Sequence, residues 1–529
     1  MTDLIKLAHN ATVAKLIDAP REAKVFVSEL LSYMVEGAEH MHAFRSGGWN
    51  GRSSFFSMVH STFPAGFVHL VHSELTRKGY RVQLVRRPLP KPLGPENPIV
   101  DEFGNDDPRY DYQMKVVDRL LKHGRGIAQI ATGGGKSKVA KLAVARIRRM
   151  TLFLTTRGVL MHQMADSFRE AGYNVGILGD GEWRPTKGIN CAMVQTLVSY
   201  LKQPDLNAEI REIVKQTSTR DLSLTREDIV KVAKHKYDLK VQRRNRTIKL
   251  LELVEFVIGE EAHEAGGNSY YEILQHCKNA NYRLALTATP FMKANGEDNM
   301  RLMAAFGPIL IKVSEKMLIE RGILAKPYFK FCKVEPHPKL RRTSPWQRAR
   351  SLGIVDGPHR NAKIVEYARK AASYGLPTIV LVGITRHGDL LKKKMQEAGL
   401  KVAFIQGEDN QAERKAQLTA LKDGEIDVLI GTTILDVGVD VPAVGMVILA
   451  GGGKAEVALR QRIGRGLRAK KTGPNVCFIV DFADDLNTHL KEHARTRRAI
   501  VESTPGFAEN ILSDHEDFDW SVFEMRKAA

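Results

Sequence analysis

Cysteine is scarce: Cys191, Cys277, Cys332 and Cys477 are the four in 529 residues, and no two form a CxxC pair. Their scatter excludes a disulfide framework, a structural zinc site and an iron–sulfur cluster, and it predicts buried, reduced thiols. Long apolar runs are absent too. Without about 18 consecutive apolar residues no transmembrane helix is expected, and the opening MTDLIKLAHNATVAKLIDAPREAK is amphipathic rather than signal-like. Both readings lead to the expectation of a cytoplasmic protein. Internal repeats and low-complexity tracts are also missing. Acids are the minority charge: 80 Lys and Arg face 60 Asp and Glu, a formal charge of +20. That excess favours a polyanionic partner, nucleic acid first and an anionic membrane surface second. A hydrophobic content of 43% excludes a disordered basic tail. At roughly 150 residues per domain, the length corresponds to about three or four folding units.

Residues 1–88 open with helical periodicity, pass through the turn-rich FRSGGWNGR (Phe44 to Arg52), and close with a helix-like run from Gly66 to Lys78 and a strand from Tyr80. This predicts a small α+β module. Residues 89–108 are rich in proline, and 96–108 hold five acids and no base. They read as an exposed linker. From Tyr110 short apolar runs alternate with helical patterns, first GIAQIAT, TLFLTT, CAMVQT, FVIGEEAH and RLALTATP, then TIVLVG, KVAFIQ, DVLIGTT, GMVILAG and VCFIVDF. Such alternation predicts two tandem α/β domains with parallel sheets, over 109–325 and 326–485. A polar helical insert at about 205–250 carries twelve bases and seven acids. Its default reading is a solvated hairpin, with Arg243, Arg244 and Arg246 as possible DNA contacts. Residues 486–529 form a helical extension, with Leu486, Leu490 and Ala494 on one face, and end in an acidic tail.

IATGGGKS, residues 130–137, lies between an apolar strand and a helix-forming stretch. There, backbone N–H groups of Thr132, Gly133, Gly134 and Gly135 can face phosphates, Lys136 can reach the β and γ phosphates, and Ser137 can ligate magnesium. Position 130 is Ile where the full phosphate-loop pattern has Gly. VIGEEAHE, from Val257, ends a strand in paired carboxylates. Glu260 suits the metal and Glu261 the attacking water.

These motifs, in this order, resemble the superfamily 2 helicases of the DEAH-box-like kind. Tyr110, Tyr112 and Gln113 match the adenine-reading region, IATGGGKS motif I, TTRGVLMHQ (Thr155 to Gln163) motif Ia, and VQTL (Val194) the next DNA-contact motif. EEAH matches motif II, TATP (Thr287) motif III, ILDVGVDVP (Ile434) motif V, and QRIGRGLR (Gln461) motif VI. Glu260 departs from the family's usual Asp. The resemblance implies two RecA-like domains that use ATP and Mg2+, with Gln461, Arg465 and Arg468 acting on the γ-phosphate across the interdomain cleft. It also implies ribose and closure sensing by Gly438 and Asp440, coupling through Thr287 and Thr289, and DNA contacts at Arg157, Thr196, Arg386 and Thr432. The Trp-x-Gly-Arg turn ahead of this motor resembles the UvsW-type helicases of large tailed phages, and more distantly the XPB-type repair helicases. That implies a DNA-binding N-terminal module with Trp49 and Arg52 at the DNA-facing turn; Trp49 reads equally well as a core anchor.

The expectation is therefore a monomeric, DNA-dependent ATPase and helicase, converting ATP and water to ADP and phosphate, in the cytoplasm of a phage-infected bacterium. Its partners would be a single-stranded track and branched or duplex DNA, with no membrane and no small-molecule substrate besides ATP. Three rivals remain: a duplex translocase that does not separate strands, a nucleotide-gated annealing protein with weak ATPase activity, and an RNA helicase. Residues 1–108 are charge-neutral, 109–325 carry +12 and 326–485 carry +10, so the basic excess lies in the two α/β domains.

Overall fold

Two parallel sheets carry the apolar runs. The computed structural model describes residues 4–219, 225–262, 267–291, 296–406, 411–432, 443–453, 463–464, 466–470 and 473–526. Contacts divide the chain into two units: Met1–Gln129 with Lys136–Lys312, and Ile130–Gly135 with Val313–Ala529.

The first unit begins with strands β1 (Leu4–His9), β2 (Val13–Ile17), β3 (Ser32–Met34), β4 (Arg52–Ser54), β5 (Thr62–Pro64) and β6 (Arg81–Val85). The opening is thus a β-hairpin and not the helix its periodicity suggested. In β1, Ile5 and Leu7 are buried while Leu4 and Lys6 face out, the period of two that a half-buried strand requires. A stretch this short fits both periods, and pairing of β1 with β2 and β6 decides it. The sheet order is β5-β2-β1-β6, and its core of Ile5, Leu7, Phe63, Phe67 and Val71 takes in Ala304 from the following domain.

That domain holds β7 (Arg125–Ile130), β8 (Thr151–Thr155), β9 (Val175–Gly179), β10 (Glu182–Arg184), β11 (Ile189–Met193), β12 (Phe256–Glu260), β13 (Tyr282–Thr287) and β14 (Ile309–Val313), in the order β10-β9-β11-β8-β12-β13-β7-β14. The central strands pair in parallel and are buried on both faces, which is why they read as unbroken apolar runs. The insert is a helical hairpin, Leu206–Thr219 and Arg226–Leu253. Its long helix starts on a capping box between Thr225 and Asp228. Arg244 reaches the Leu201 carbonyl, and Arg243 lies 4.7 Å from the Tyr200 ring, so these two bases are partly spent within the fold.

Residues 89–108 form a bound strap rather than a free linker. Leu93 and Gly94 donate backbone N–H groups to the Ile147 and Arg146 carbonyls at 3.1 and 3.0 Å, and Tyr282 donates its hydroxyl to the Pro90 carbonyl at 2.6 Å. Helix Lys136–Ile147 ends there, and its last carbonyls lack partners within the helix. Lys138 pairs with Asp101 at 3.0 Å. Ile99 and Phe103 face outward, 77% and 76% exposed, while the backbone of the strap is bonded.

The second unit holds β15 (Lys326–Cys332), β16 (Thr378–Leu381), β17 (Val402–Ile405), β18 (Val428–Gly431), β19 (Met446–Leu449) and β20 (Val476–Phe482), ordered β15-β20-β19-β16-β18-β17 and paired in parallel. The two sheets are RecA-like. Helix Thr488–Glu502 buries Leu490 and Ala494 and is fixed to β20 by the buried Arg497–Asp481 pair at 2.9 Å. Leu486 precedes that helix and is partly exposed, so it lies outside the expected face. Nor is the acidic tail free: Phe518, Trp520 and Phe523 enter the core of this domain. All four cysteines are buried and form no disulfide. No described helix is long and apolar enough to cross a membrane.

Candidate active site

Motif I falls between the end of β7 and the start of helix Lys136–Ile147. Gly133 and Gly135 adopt φ of 87° and 77°, left-handed values that a side chain would oppose, and they turn the loop back on itself. Gly134 donates its N–H to the Ala131 carbonyl at 3.0 Å. Motif II ends β12, one strand beyond β13 in the same sheet. The two motifs meet in one ion pair: Lys136 Nζ lies 3.0 Å from Glu261 Oε1, with side chains only 10% and 13% exposed. Glu260, one residue back, is buried, and its carbonyl accepts a hydrogen bond from the Tyr270 hydroxyl at 3.1 Å. Glu261 takes φ 44°, an uncommon value for a residue with a Cβ.

This donor set fits a metal–nucleoside triphosphate. A buried lysine beside two partly desolvated carboxylates, at the mouth of a loop with left-handed glycines, can hold phosphate oxygens and a hard cation. Ser137, in the first turn of the helix, is exposed and within the same motif.

Motif III runs off β13. Thr287 and Thr289 are buried, the Thr289 N–H reaches Thr287 Oγ1 at 3.2 Å, and Gln129 of β7 donates to the Ala288 carbonyl at 3.3 Å, which joins motif III to the strand that feeds motif I. Gln113 and Tyr112 are buried near the start of helix Tyr112–His123, whereas Tyr110 is half-buried, with the Arg109 guanidinium 5.8 Å from its ring. Burial pushes the Tyr110 phenol up.

Arg157 and Thr196 follow the adjacent parallel strands β8 and β11, whose register pairs Thr155 with Met193. Gln195 ties their loops together through the Thr156 carbonyl at 3.1 Å. In the second domain Arg386 and Thr432 follow the neighbouring strands β16 and β18. Arg386 pairs with Asp356 at 2.6 Å. Arg468 is exposed and pairs with Leu324 in an isolated bridge. Gln461, Arg465, Gly438 and Asp440 lie outside the described residues.

Trp49 donates its indole N–H to the Arg52 carbonyl at 2.7 Å, and Arg52 donates to Ser32. Trp49 is half-buried and is not among the module's described core residues. The six histidines before residue 73 form no metal cluster among the described residues. Tyr270 was not singled out from the sequence: GNSYYEIL carries no motif, and only the fold brings residue 270 to motif II.

Residues 107–292 match the family described as type III restriction enzyme, res subunit, and residues 362–470 match the helicase conserved C-terminal domain. The chain belongs to the superfamily 2 helicases. Among curated relatives of this helicase, two provisionally named proteins align over about half its length: helicase 22 of Sulfolobus islandicus filamentous virus, 25% identical, and the ATP-dependent helicase IRC3 of Saccharomyces cerevisiae, 26% identical. The alignments cover 50% and 52% of this helicase, and 49% and 39% of those relatives. The crystal structure of T4 UvsW aligns with 96% of the helicase and 99% of its own chain, at 17% identity and a TM-score of 0.43.

Proposed function

We propose that this helicase is an ATP- and magnesium-dependent DNA motor that unwinds or remodels branched DNA, such as forks and recombination intermediates, in replication, recombination and repair. The observation that carries the ATPase reading is the 3.0 Å Lys136–Glu261 pair, held where β7 and β12 end. ATP with magnesium, when bound, supplies the phosphoryl group and the neutralising divalent charge. Lys136 is kept at the loop by Glu261 until phosphate oxygens take the carboxylate's place, and Glu261 is then available to orient water. Glu260 and Ser137 are assigned to the metal, which they would hold when it is bound, and the extra methylene of Glu260 would still permit contact through water. Arg465, Arg468 and Gln461 are assigned to the developing negative charge, Tyr110 and Gln113 to the base, and Gly438 and Asp440 to the ribose.

DNA is the favoured track for two reasons. The basic excess of +12 and +10 in the two motor domains suits phosphate contacts without base reading, and the Trp49–Arg52 turn resembles that of UvsW-type motors. Arg157, Thr196, Arg386 and Thr432 are the proposed phosphate contacts, with Trp49 and Arg52 on the duplex or branch. RNA is the second reading, favoured by a 34% identity over 134 residues to a Cryptococcus neoformans protein named pre-mRNA-splicing ATP-dependent RNA helicase PRP28.

ATP turnover is to be measured with single-stranded, duplex and forked DNA and with RNA. Forked DNA should stimulate most, and Lys136→Ala should abolish the stimulated rate. A Lys136→Ala protein that hydrolyses ATP normally overturns the site, and stimulation by RNA alone overturns the DNA reading.

A further inference from the structure

Helix Gly296–Phe306 is packed on two sides by backbone-close contacts. A methyl group on Gly66 of the N-terminal module would stand 2.2 Å from the Met303 carbonyl oxygen, and one on Gly267 would stand 2.1 Å from the Asp298 carbonyl oxygen. The helix is therefore a shared wall between the N-terminal module and helix Gly267–His276. Arg301 bridges the two sides: held within the helix by Glu297 at 2.5 Å, it lies 5.6 Å from the Phe55 ring of the N-terminal module and 5.9 Å from the Tyr271 ring of helix Gly267–His276. At the far end, Phe306 meets Tyr270 edge to face, with centroids 5.5 Å apart, and its ring also lies against Gly259 of β12. Tyr270 is fully buried, and its hydroxyl donates to the Glu260 carbonyl at 3.1 Å.

That carbonyl belongs to the peptide joining Glu260 to Glu261, so its direction sets ψ of Glu260 and φ of Glu261 together. Glu261 sits at φ 44°, where an L-residue is strained, and in that conformation its carboxylate meets Lys136. A buried hydroxyl that fixes the carbonyl opposes relaxation of this strain.

We propose that Tyr270 is a positioning residue for ATP hydrolysis: its hydroxyl holds the Glu260–Glu261 peptide in the strained orientation that aims Glu261, and its ring is clamped through Phe306 by the helix on which the N-terminal module is seated. The N-terminal module is then wired to motif II through packed side chains within one compact unit. This rests on the ATPase reading above.

The test is Tyr270→Phe, which keeps the ring and its packing and removes one oxygen. Turnover of ATP on forked DNA should fall about tenfold in kcat, the scale of one lost buried hydrogen bond, with KM for ATP and the Kd for MgADP unchanged. An unchanged kcat, or an equal loss in KM and ADP binding, overturns the proposal. If the wild-type protein binds nucleotide without turning it over, the functional reading fails on its own account. Positioning is then read by hydrogen exchange at the Glu261 and Ala262 amides, which Tyr270→Phe should accelerate; unchanged exchange overturns it.

Discussion

On the second sheet the C-terminal segment is held by aromatic rings: Phe518 stacks on Phe478 of β20 at 4.4 Å and 10°, while Trp520 and Phe523 meet the same ring edge-on at 5.2 and 5.3 Å. On the first sheet the N-terminal module shares a smaller apolar contact, with Ala304, Met300, Met303 and Tyr271 packed against its core, and adds a glycine seated on a helix backbone, an arginine laid across two rings, and a polar seam. In that seam the buried Arg125 donates to the Ala11 carbonyl at 2.9 Å, and His69 and His123 stand 5.3 Å apart. The first attachment is bulk apolar burial, whose strength scales with area. The second combines a smaller apolar contact with close backbone fit and hydrogen bonding around positive charge. Attachments of the second kind are easier to loosen, which suits a module proposed to engage DNA and to signal to motif II.

The largest expected effect tests the aromatic side. Phe518→Ala should cost the second domain about 3–5 kcal/mol, the usual range for deleting a buried phenylalanine, read as a lower urea midpoint of that domain. The ATP-site domain should unfold as before, and a loss shared equally by both domains would break the contrast. Next in size, Gly66→Ala should weaken the N-terminal attachment by about 1–3 kcal/mol, because the added methyl must displace the Met303 carbonyl. Limited proteolysis should then cut within residues 1–88 sooner, with unchanged protection of Phe518.

What could be read from the sequence follows the same division. Buried parallel strands announce themselves: β8, β12, β13, β16, β18, β19 and β20 are largely apolar runs because both faces are covered, whereas β17 at the sheet edge is only partly covered. Motifs I and II were legible because phosphate and metal chemistry demands particular residues at particular strand ends, and the structure joins them through Lys136 and Glu261. Elements decided by pairing or docking were not legible. The opening hairpin depends on β6, about 75 residues away, and the strap at 89–108 depends on carbonyls left over at a helix end. The acidic tail hid its anchors because charge dominates its composition, while Phe518, Trp520 and Phe523 carry its packing. Lys370 and Lys333 pair with Asp517 and Asp514, so even the acids are engaged. Tyr270 was invisible for a further reason: a residue that acts through one backbone hydrogen bond leaves no pattern in its neighbours.

The smallest effect, and the most selective, is in pH. Burial, with His123, Arg125, His9 and Arg86 around it, pushes His69 down from 6.5 to about 4, and burial also lowers His123 and His9. The docked seam therefore refuses protons that the released module accepts. Attachment is complete above pH 6.5 and weakens as pH falls from 6.5 towards 4, the window in which only the released state is protonated. Because His69 is half-exposed, the slope should be a fraction of about 1.4 kcal/mol per pH unit. Asp517 responds in the same direction but in a lower pH window. Burial raises its carboxyl, but the Lys370 and Phe518 hydrogen bonds outweigh that and hold it below the usual carboxylate value, so its contribution persists until pH falls below that range. Urea-dependent pulse proteolysis at sites within residues 1–88, compared at pH 7.5 and pH 5, should show the module releasing at lower urea in acid. His69→Gln should flatten that dependence while leaving the Phe518 segment's response unchanged. A variant with the wild-type slope would show that His123 and His9 carry the seam without His69, whereas a parallel shift at Phe518 would mean that the two attachments are not chemically distinct.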